Sequence, residues 1–130
     1  MSSDQHSTYE GMFVFPQSVT GNLGDAADHV RGILEKNQAT ILSFKKWDER
    51  RFAYEMGGFK RGVYFLAYFT AASDALVGIE RDCNLSEQLL RNLVLKADHV
   101  PAETIEAAEG SAELADEIAL RQVPAARNRP

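Results

Sequence analysis

An aromatic residue or a glycine recurs at every second position along residues 9–15, which is the period of a β-strand with one face against a core. The face that we assign to the core carries an aromatic residue or a glycine at every second position: Tyr9, Gly11, Phe13 and Phe15. Met12 and Val14 lie on the opposite face. Pro16 ends this first predicted strand, because proline offers no backbone donor to a neighbouring strand.

Two later stretches change to helical spacing. Between about Asn22 and Asn37 the apolar positions form the stripe of an amphipathic helix: Leu23, Ala26, Ala27, Val30, Ile33 and Leu34. A second, shorter helix is predicted from Asp74 to about Cys83, where Leu76 and Ile79 recur at the same spacing. Both helices therefore present one apolar face.

Residues 39–70 predict a pair of long strands. Gly57-Gly58 joins them, since glycine permits the backbone dihedrals of a tight turn. The first strand turns polar over residues 45–49. The second is apolar on both faces over residues 63–69, which is typical of a central strand. A last strand is predicted over residues 88–96.

The predicted order is strand, helix, strand, strand, helix, strand, the order of the ferredoxin-like α+β sandwich. In this βαββαβ architecture two helices cover one face of a four-stranded antiparallel sheet. The other face carries Tyr64, Leu66 and Tyr68 of the central strand, so we expect an apolar binding surface there. Two alternatives remain: these residues are ordinary core, or the C-terminal segment folds back over them.

The composition is that of one globular domain, with 130 residues of which 45% are hydrophobic. We expect a flexible N-terminus over residues 1–7, the ferredoxin-like domain over residues 8–98, and an acidic, largely disordered extension over residues 99–130. A single cysteine excludes an intrachain disulfide. Neither a signal peptide nor an apolar run of the ~20 residues that span a bilayer is present, so we expect a cytoplasmic protein without a membrane partner.

Charge is unevenly distributed along the chain. The formal net charge is −5, yet residues 31–61 carry eight lysines or arginines against four acids, a local net of +4. An acidic protein does not coat nucleic acid indiscriminately, so any contact with RNA depends on this local basic stretch. A solvated basic edge that prevents strand pairing is the other interpretation.

Catalytic and metal-binding patterns are missing from the sequence. The three histidines, His6, His29 and His99, show no ligand spacing with one another or with Cys83. The glycines form no phosphate-binding fingerprint. We therefore expect no catalytic residue, no metal, no cofactor and no small-molecule substrate.

Over roughly residues 8–98 the chain resembles the family of the sixth small-subunit ribosomal protein of bacteria, ribosomal protein S-six. Four features carry the resemblance: Tyr9-Glu10, the run Arg50-Arg51-Phe52-Ala53-Tyr54, Gly62 before an aromatic strand, and a final strand containing Arg91 and Lys96. The resemblance implies a ribonucleoprotein component of the small ribosomal subunit. Such a protein acts in translation and binds small-subunit ribosomal RNA as a heterodimer with ribosomal protein S-eighteen.

On that resemblance, basic residues near the strand edges are the candidates for RNA phosphates: Lys45, Lys46, Arg50, Arg51, Lys60, Arg61 and Arg91. Tyr64, Leu66 and Tyr68 on the uncovered sheet face are the candidates for the protein partner. Residues of both kinds lie on, or next to, the predicted strands.

Two other functions suit the same fold. Residues 61–68 partly match the octapeptide of RNA-recognition motifs, in which aromatic side chains stack single-stranded bases. That function requires Phe13 or Phe15 to face outward, against their assignment to the core. The other is a non-ribosomal ferredoxin-like module that forms a homodimer through its open sheet face.

Overall fold

The computed structural model describes residues 6–127, with side chains for residues 6–19 and 22–120. The elements in chain order are β1 (His6–Pro16), a 3-10 turn (Gln17–Asn22), α1 (Leu23–Lys36), β2 (Thr40–Met56), β3 (Phe59–Ala72), α2 (Ala75–Leu85), β4 (Arg91–Lys96), α3 (Ala102–Ala107) and α4 (Ser111–Arg127). The strands form one antiparallel sheet in the order β2-β3-β1-β4. The predicted ferredoxin-like order is confirmed from β1 to β4.

Alternate residues of β1 and β3 point toward α1 and α2 and form the main core. The largest contributions come from fully buried aromatic rings: Phe13, Phe15, Phe44, Phe65 and Phe69. The rings of Phe15 and Phe65 meet edge to face, with their centroids 5.6 Å apart. The whole predicted stripe of α1 is buried against these rings. The core face that alternation predicts for β1 is therefore confirmed.

β2 and β3 form the long hairpin that the sequence predicts. Their register runs from Thr40 opposite Thr70 to Met56 opposite Phe59. Gly57 and Gly58 between them have φ angles of 55° and 84°, the left-handed region that glycine adopts without strain. The polar residues 45–49 lie within β2 and do not interrupt it.

Both ends of the sheet differ slightly from the sequence-based expectation. β1 begins at His6, so the last two residues of the predicted flexible N-terminus belong to a strand, while residues 1–5 lie outside the described residues. β4 begins at Arg91 rather than at residue 88. The Ser86 hydroxyl accepts hydrogen bonds from the backbone N–H groups of Gln88 and Leu89, which hold a turn ahead of the strand.

The C-terminal segment is the main correction to the sequence-based expectation. The composition predicts that residues 99–130 are largely disordered, but α3 and α4 occupy residues 102–107 and 111–127. Ile105 and Ala108 pack on Leu66 and Tyr68 of β3, and Leu114 enters the main core. These few apolar residues are enough to hold the segment against the domain, because each packs on apolar surface that the sheet already presents. Residues 128–130 lie outside the described residues.

Between α3 and α4 the chain crosses the outer edge of β2. The Gly110 N–H donates to the Phe44 carbonyl oxygen at 2.9 Å, and the Phe44 N–H donates to Glu109 Oε1 at 3.0 Å. A Cβ at Gly110 would lie 2.8 Å from the Lys45 Cβ, so glycine permits this close approach. These bonds satisfy backbone groups of an edge strand that would otherwise be open to another chain.

Candidate nucleic-acid interface

The seven basic residues that the sequence singles out fall on two different surfaces. Lys45 and Lys46 lie beside the crossing between α3 and α4, in a cleft lined by three glutamates, Glu109, Glu113 and Glu117. The other five lie toward the end of the sheet that carries the β2–β3 turn: Arg50, Arg51, Lys60, Arg61 and Arg91. We call this second group the distal basic group.

Lys46 is neutralised within the protein. Its Nζ lies 2.6 Å from both Glu49 Oε2 and Glu117 Oε2. Burial acts to lower the pKa of Lys46, but the hydrogen bonds and negative charges of these two glutamates outweigh it and raise the pKa. The ammonium group is therefore occupied by carboxylates rather than presented to phosphate.

Arg51 and Arg61 present positive charge to solvent. They lie directly opposite each other on β2 and β3, and both side chains are exposed. Like charges in this position destabilise a sheet, so an anion bound between them would stabilise it. Among the side chains that the structure describes, neither arginine forms an ion pair, and nor does the adjacent Lys60. This pair is the strongest candidate for a phosphate contact.

Arg50 is held in one orientation by its neighbours. Its Nε and Nη2 donate to Asp48 Oδ2 at 2.9 and 2.7 Å. Its guanidinium carbon lies 5.1 Å from the centroid of the Trp47 ring and 5.5 Å from that of the Tyr64 ring. The side-chain hydrogen bond from Arg50 is the largest effect on the pKa of Asp48, which is lowered, so the carboxylate that holds the guanidinium is charged at neutral pH.

The sheet face opposite α1 and α2 continues from this cluster toward β4. One row of neighbouring residues crosses all four strands: Arg91, Val14, Tyr64 and Asp48. Around Tyr64 lies a shallow apolar pocket that Met12, Met56 and Leu93 line together with Arg91. Arginine and apolar side chains therefore occupy the same surface.

Of the three residues predicted for a protein partner, α3 covers two and leaves one accessible. Leu66 and Tyr68 are only 9% and 5% exposed because Ile105 and Ala108 pack over them. The Tyr68 hydroxyl donates to Glu10 Oε2 at 2.7 Å. Tyr64 remains partly exposed. The predicted open face is therefore only half open, and the fold-back of the C-terminal segment, one of the alternatives, is what covers the rest.

The first strand does not supply the second aromatic ring that an RNA-recognition motif needs. Phe13 and Phe15 are fully buried in the core, and the outward residues of β1 at this end are Met12 and Val14. Tyr64 is the outward aromatic residue of the β3 octapeptide that α3 leaves uncovered. A stacking surface shared between β1 and β3 is therefore not formed.

Trp47 is the site residue that the sequence reasoning did not single out. A register shift between Lys46 and Asp48 makes it the extra residue of a β-bulge, and its ring meets Tyr64 edge to face with centroids 6.0 Å apart. Bulges re-aim side chains and occur often next to functional sites. The signal in the sequence was a single tryptophan within the polar residues 45–49.

No other chemistry is assembled in the described part of the chain. No group of three or more His, Cys, Asp or Glu residues there could hold a metal ion, and no helix there is long and apolar enough to cross a membrane. Cys83 is buried, and burial, followed by the charges of Asp82 and Glu80, raises the pKa of its thiol to about 11. Cys83 is therefore a protonated packing residue.

Comparison with known proteins gives one consistent family. The sequence model of the family described as Ribosomal protein S6 matches residues 8–96. The small ribosomal subunit protein bS6 of Protochlamydia amoebophila is 32% identical over 101 residues, which are 77% of this chain and 89% of that protein. The bS6 protein of Rickettsia prowazekii is 32% identical over 98 residues, which are 75% of this chain and 81% of that protein.

The fold agrees with a solved structure of the same description. The crystal structure of 30S ribosomal protein S6 from Thermotoga maritima matches with a TM-score of 0.67 at 22% sequence identity. The match covers 78% of this chain and 97% of that one. The family match ends at residue 96, so α3 and α4 lie beyond it.

Proposed function

Because this chain belongs to the ribosomal protein S6 family of the small ribosomal subunit, we propose that it binds small-subunit ribosomal RNA together with ribosomal protein S-eighteen. As a member of that family the protein is a ribosomal component of the cytoplasm, and its role there is structural rather than enzymatic. The observation that carries the RNA proposal is the exposed Arg51–Arg61 pair, which has no acidic partner among the described residues.

Charge separation supports RNA binding at the end of the sheet that carries the distal basic group. Glutamates of the C-terminal segment line the cleft that holds Lys45 and Lys46. Among the described side chains, the Arg50–Asp48 pair is the ion pair of the distal basic group. Lysine and arginine attract phosphate through a sequence-independent electrostatic term that weakens as salt rises. The proposal therefore assigns phosphate contacts to Arg51, Lys60 and Arg61 and removes Lys46 from the sequence-based set.

The open half of the sheet face supports the protein partner. Leu93 and Leu95 of β4 are about half exposed, and with Met12, which lies opposite Leu93 on β1, they form an apolar surface at the β4 side of the open face, away from Trp47 on β2. An apolar centre with charged residues around it is the usual composition of a protein interface. We therefore assign S-eighteen to this surface instead of to Leu66 and Tyr68, which α3 already covers.

The RNA proposal is tested with a double variant, Arg51→Ala with Arg61→Ala. Affinity for a small-subunit ribosomal RNA fragment should fall, and the slope of log affinity against log salt should decrease by about two, since about one phosphate contact is lost per arginine. The control is Lys36→Ala with Arg81→Ala, which removes the same charge from α1 and α2. Equal affinities and salt slopes for the two double variants would remove the arginine pair from the RNA surface.

The partner proposal has its own test. Leu93→Glu should prevent co-purification of S-eighteen with the tagged protein and reduce its migration with the small subunit on a sucrose gradient. Leu85→Glu, at an exposed leucine of α2, is the control and should co-purify normally. If Leu93→Glu keeps its partner, S-eighteen binds elsewhere. If the protein instead sediments as a dimer without RNA, the homodimeric alternative is correct.

A further inference from the structure

We infer that Trp47, Arg50 and Tyr64 form a stacking site for one unpaired base of an RNA strand. This inference rests on the proposed RNA binding and adds the form of RNA that this end of the sheet selects. Unpaired bases stack on aromatic rings and on arginine guanidinium planes, whereas double-stranded RNA offers mainly phosphates and 2′-hydroxyls to proteins. The three side chains supply both kinds of flat surface.

The geometry of the cluster is preorganised. Two rings on different strands, Trp47 of the bulge in β2 and Tyr64 of β3, stand nearly perpendicular, at 83°. The Arg50 guanidinium lies over both rings and is fixed by two hydrogen bonds to Asp48. A third ring, Phe52, packs edge to face behind Tyr64 at 6.3 Å and is itself buried. Little conformational freedom remains to be lost when a base binds.

The cluster is also accessible. Trp47 is 42% exposed and the Arg50 side chain is 49% exposed. An aromatic ring and a guanidinium group are therefore both open to solvent at this site. The C-terminal segment covers Leu66 and Tyr68 on this face but leaves Tyr64 uncovered. A base can therefore approach without displacing α3.

Positive charge lies around the cluster where a strand of RNA would place its phosphates. Arg91 lies in the same row of the sheet as Tyr64, and Arg50, opposite Gly62, lies on the same face. The Arg51–Arg61 pair is at the adjacent position and therefore points to the other face of the sheet. Arginines of β2 and β4 therefore flank one stacking surface. Single-stranded RNA sites combine a basic surface for the backbone with aromatic side chains for the bases.

The single tryptophan of the chain permits a direct test, because all tryptophan emission comes from Trp47. The full chain is titrated with single-stranded oligoadenylate and, separately, with a duplex RNA of equal length at the same salt concentration. The expected result is saturable quenching by the single strand and little quenching by the duplex, although both bind through phosphate contacts. Binding of labelled RNA is followed by anisotropy in parallel.

A matched pair of variants separates stacking from charge. Tyr64→Leu should weaken single-strand binding by about tenfold and leave duplex binding unchanged, because one base–aromatic contact is lost. Tyr54→Leu is the control, since Tyr54 lies on β2 but is 84% exposed and outside the cluster. Circular dichroism checks that both variants are folded.

The outcomes distinguish this inference from the proposed function. If both RNAs bind while Trp47 emission stays constant and the two tyrosine variants behave alike, the stacking site is wrong and phosphate binding stands. If neither RNA binds the chain, alone or with S-eighteen, both proposals fail. The quenching of the unaltered protein decides the matter even if Tyr64→Leu does not fold.

Discussion

The sheet face opposite α1 and α2 has two halves that look alike in sequence and differ in the structure. On the covered half, Leu66 and Tyr68 of β3 are buried under α3. On the open half, Tyr64 two residues earlier is partly exposed beside Leu93. The same alternating strand supplies both halves, so what differs is the cover that comes from residues after β4.

This difference shows what the alternation of residues along a strand can and cannot predict. Alternation identifies which residues share a face of a sheet. It does not identify what covers that face, because the cover comes from contacts distant in sequence, such as Ile105 on Leu66. Stability should therefore depend on the covered half, and recognition of partners on the open half.

The largest expected effect comes from removing the cover. Ile105→Ala should lower the free energy of unfolding by about 3 kcal/mol, because it removes a buried side chain of α3 and leaves a cavity over β3. The control on the open half is Leu93→Ala, which should cost under about 1 kcal/mol because Leu93 is already half exposed. Urea denaturation measures both, and equal losses would contradict the division of the face.

Tyr68 gives the covered half a dependence on alkaline pH. Burial first, and then the hydrogen bond and charge of Glu10, raise the pKa of Tyr68 from 10.0 to about 12. The folded state thus holds the phenol proton more tightly than the unfolded chain. The resulting stabilisation is complete below pH 10 and is lost as the pH rises to about 12, a decrease of about 2 to 3 kcal/mol.

The variant Tyr68→Phe isolates that contribution from other groups that titrate at high pH. Its unfolding free energy should be about 1 kcal/mol lower than that of the unaltered protein near neutral pH, because the hydrogen bond to Glu10 is lost. The difference should shrink or reverse at the alkaline end. A constant difference across urea titrations at rising pH would show that Tyr68 is not shielded by α3.

A smaller effect is expected at the crossing of the β2 edge. Gly110→Ala places a Cβ 2.8 Å from the Lys45 Cβ, so the bond from the Gly110 N–H to Phe44 must lengthen, at a cost of about 1 to 2 kcal/mol. Gly32→Ala is the control, since a Cβ at Gly32 on α1 meets nothing within 4 Å and should stabilise the helix by about 1 kcal/mol. If the crossing is as close as described, thermal unfolding shows a lower melting temperature for Gly110→Ala and a higher one for Gly32→Ala.

The smallest expected effect is at Ser43. Its side chain is 1% exposed, and among the described residues its hydroxyl oxygen has no hydrogen-bond partner. Ser43→Ala should therefore leave stability unchanged or raise it by up to about 1 kcal/mol, because a buried polar group without a partner is removed. A clear loss of stability in urea would mean that the hydroxyl is satisfied in solution, for example by a water molecule.

The sequence was sufficient for the fold from β1 to β4, because the evidence for each of those elements is local, but not for α3 and α4, whose apolar residues are few and are buried only by contact with the distant sheet. The two-residue spacing of Phe13 and Phe15 identifies the core face of β1, and Gly57-Gly58 identifies the turn. The site was less predictable. Lys46 and Arg50 are four residues apart in the chain, but only Lys46 is bound by Glu117, which lies 71 residues further along. The β-bulge at Trp47 also changes which face of the sheet the next side chains point to.

The crossing of the C-terminal segment over β2 also limits how copies of the protein can associate. β2 and β4 are the two outer strands of the sheet, and the bonds between Phe44 and the residues Glu109 and Gly110 occupy the backbone groups of Phe44 at the edge of β2. β4, with six residues, is left as the one outer strand without such a cover among the described residues. A sheet with two open edges can polymerise indefinitely, whereas one with a single open edge can only pair. Edge-to-edge pairing of copies is therefore interrupted at Phe44 of β2, which disfavours the long chains of paired sheets that two open edges would allow.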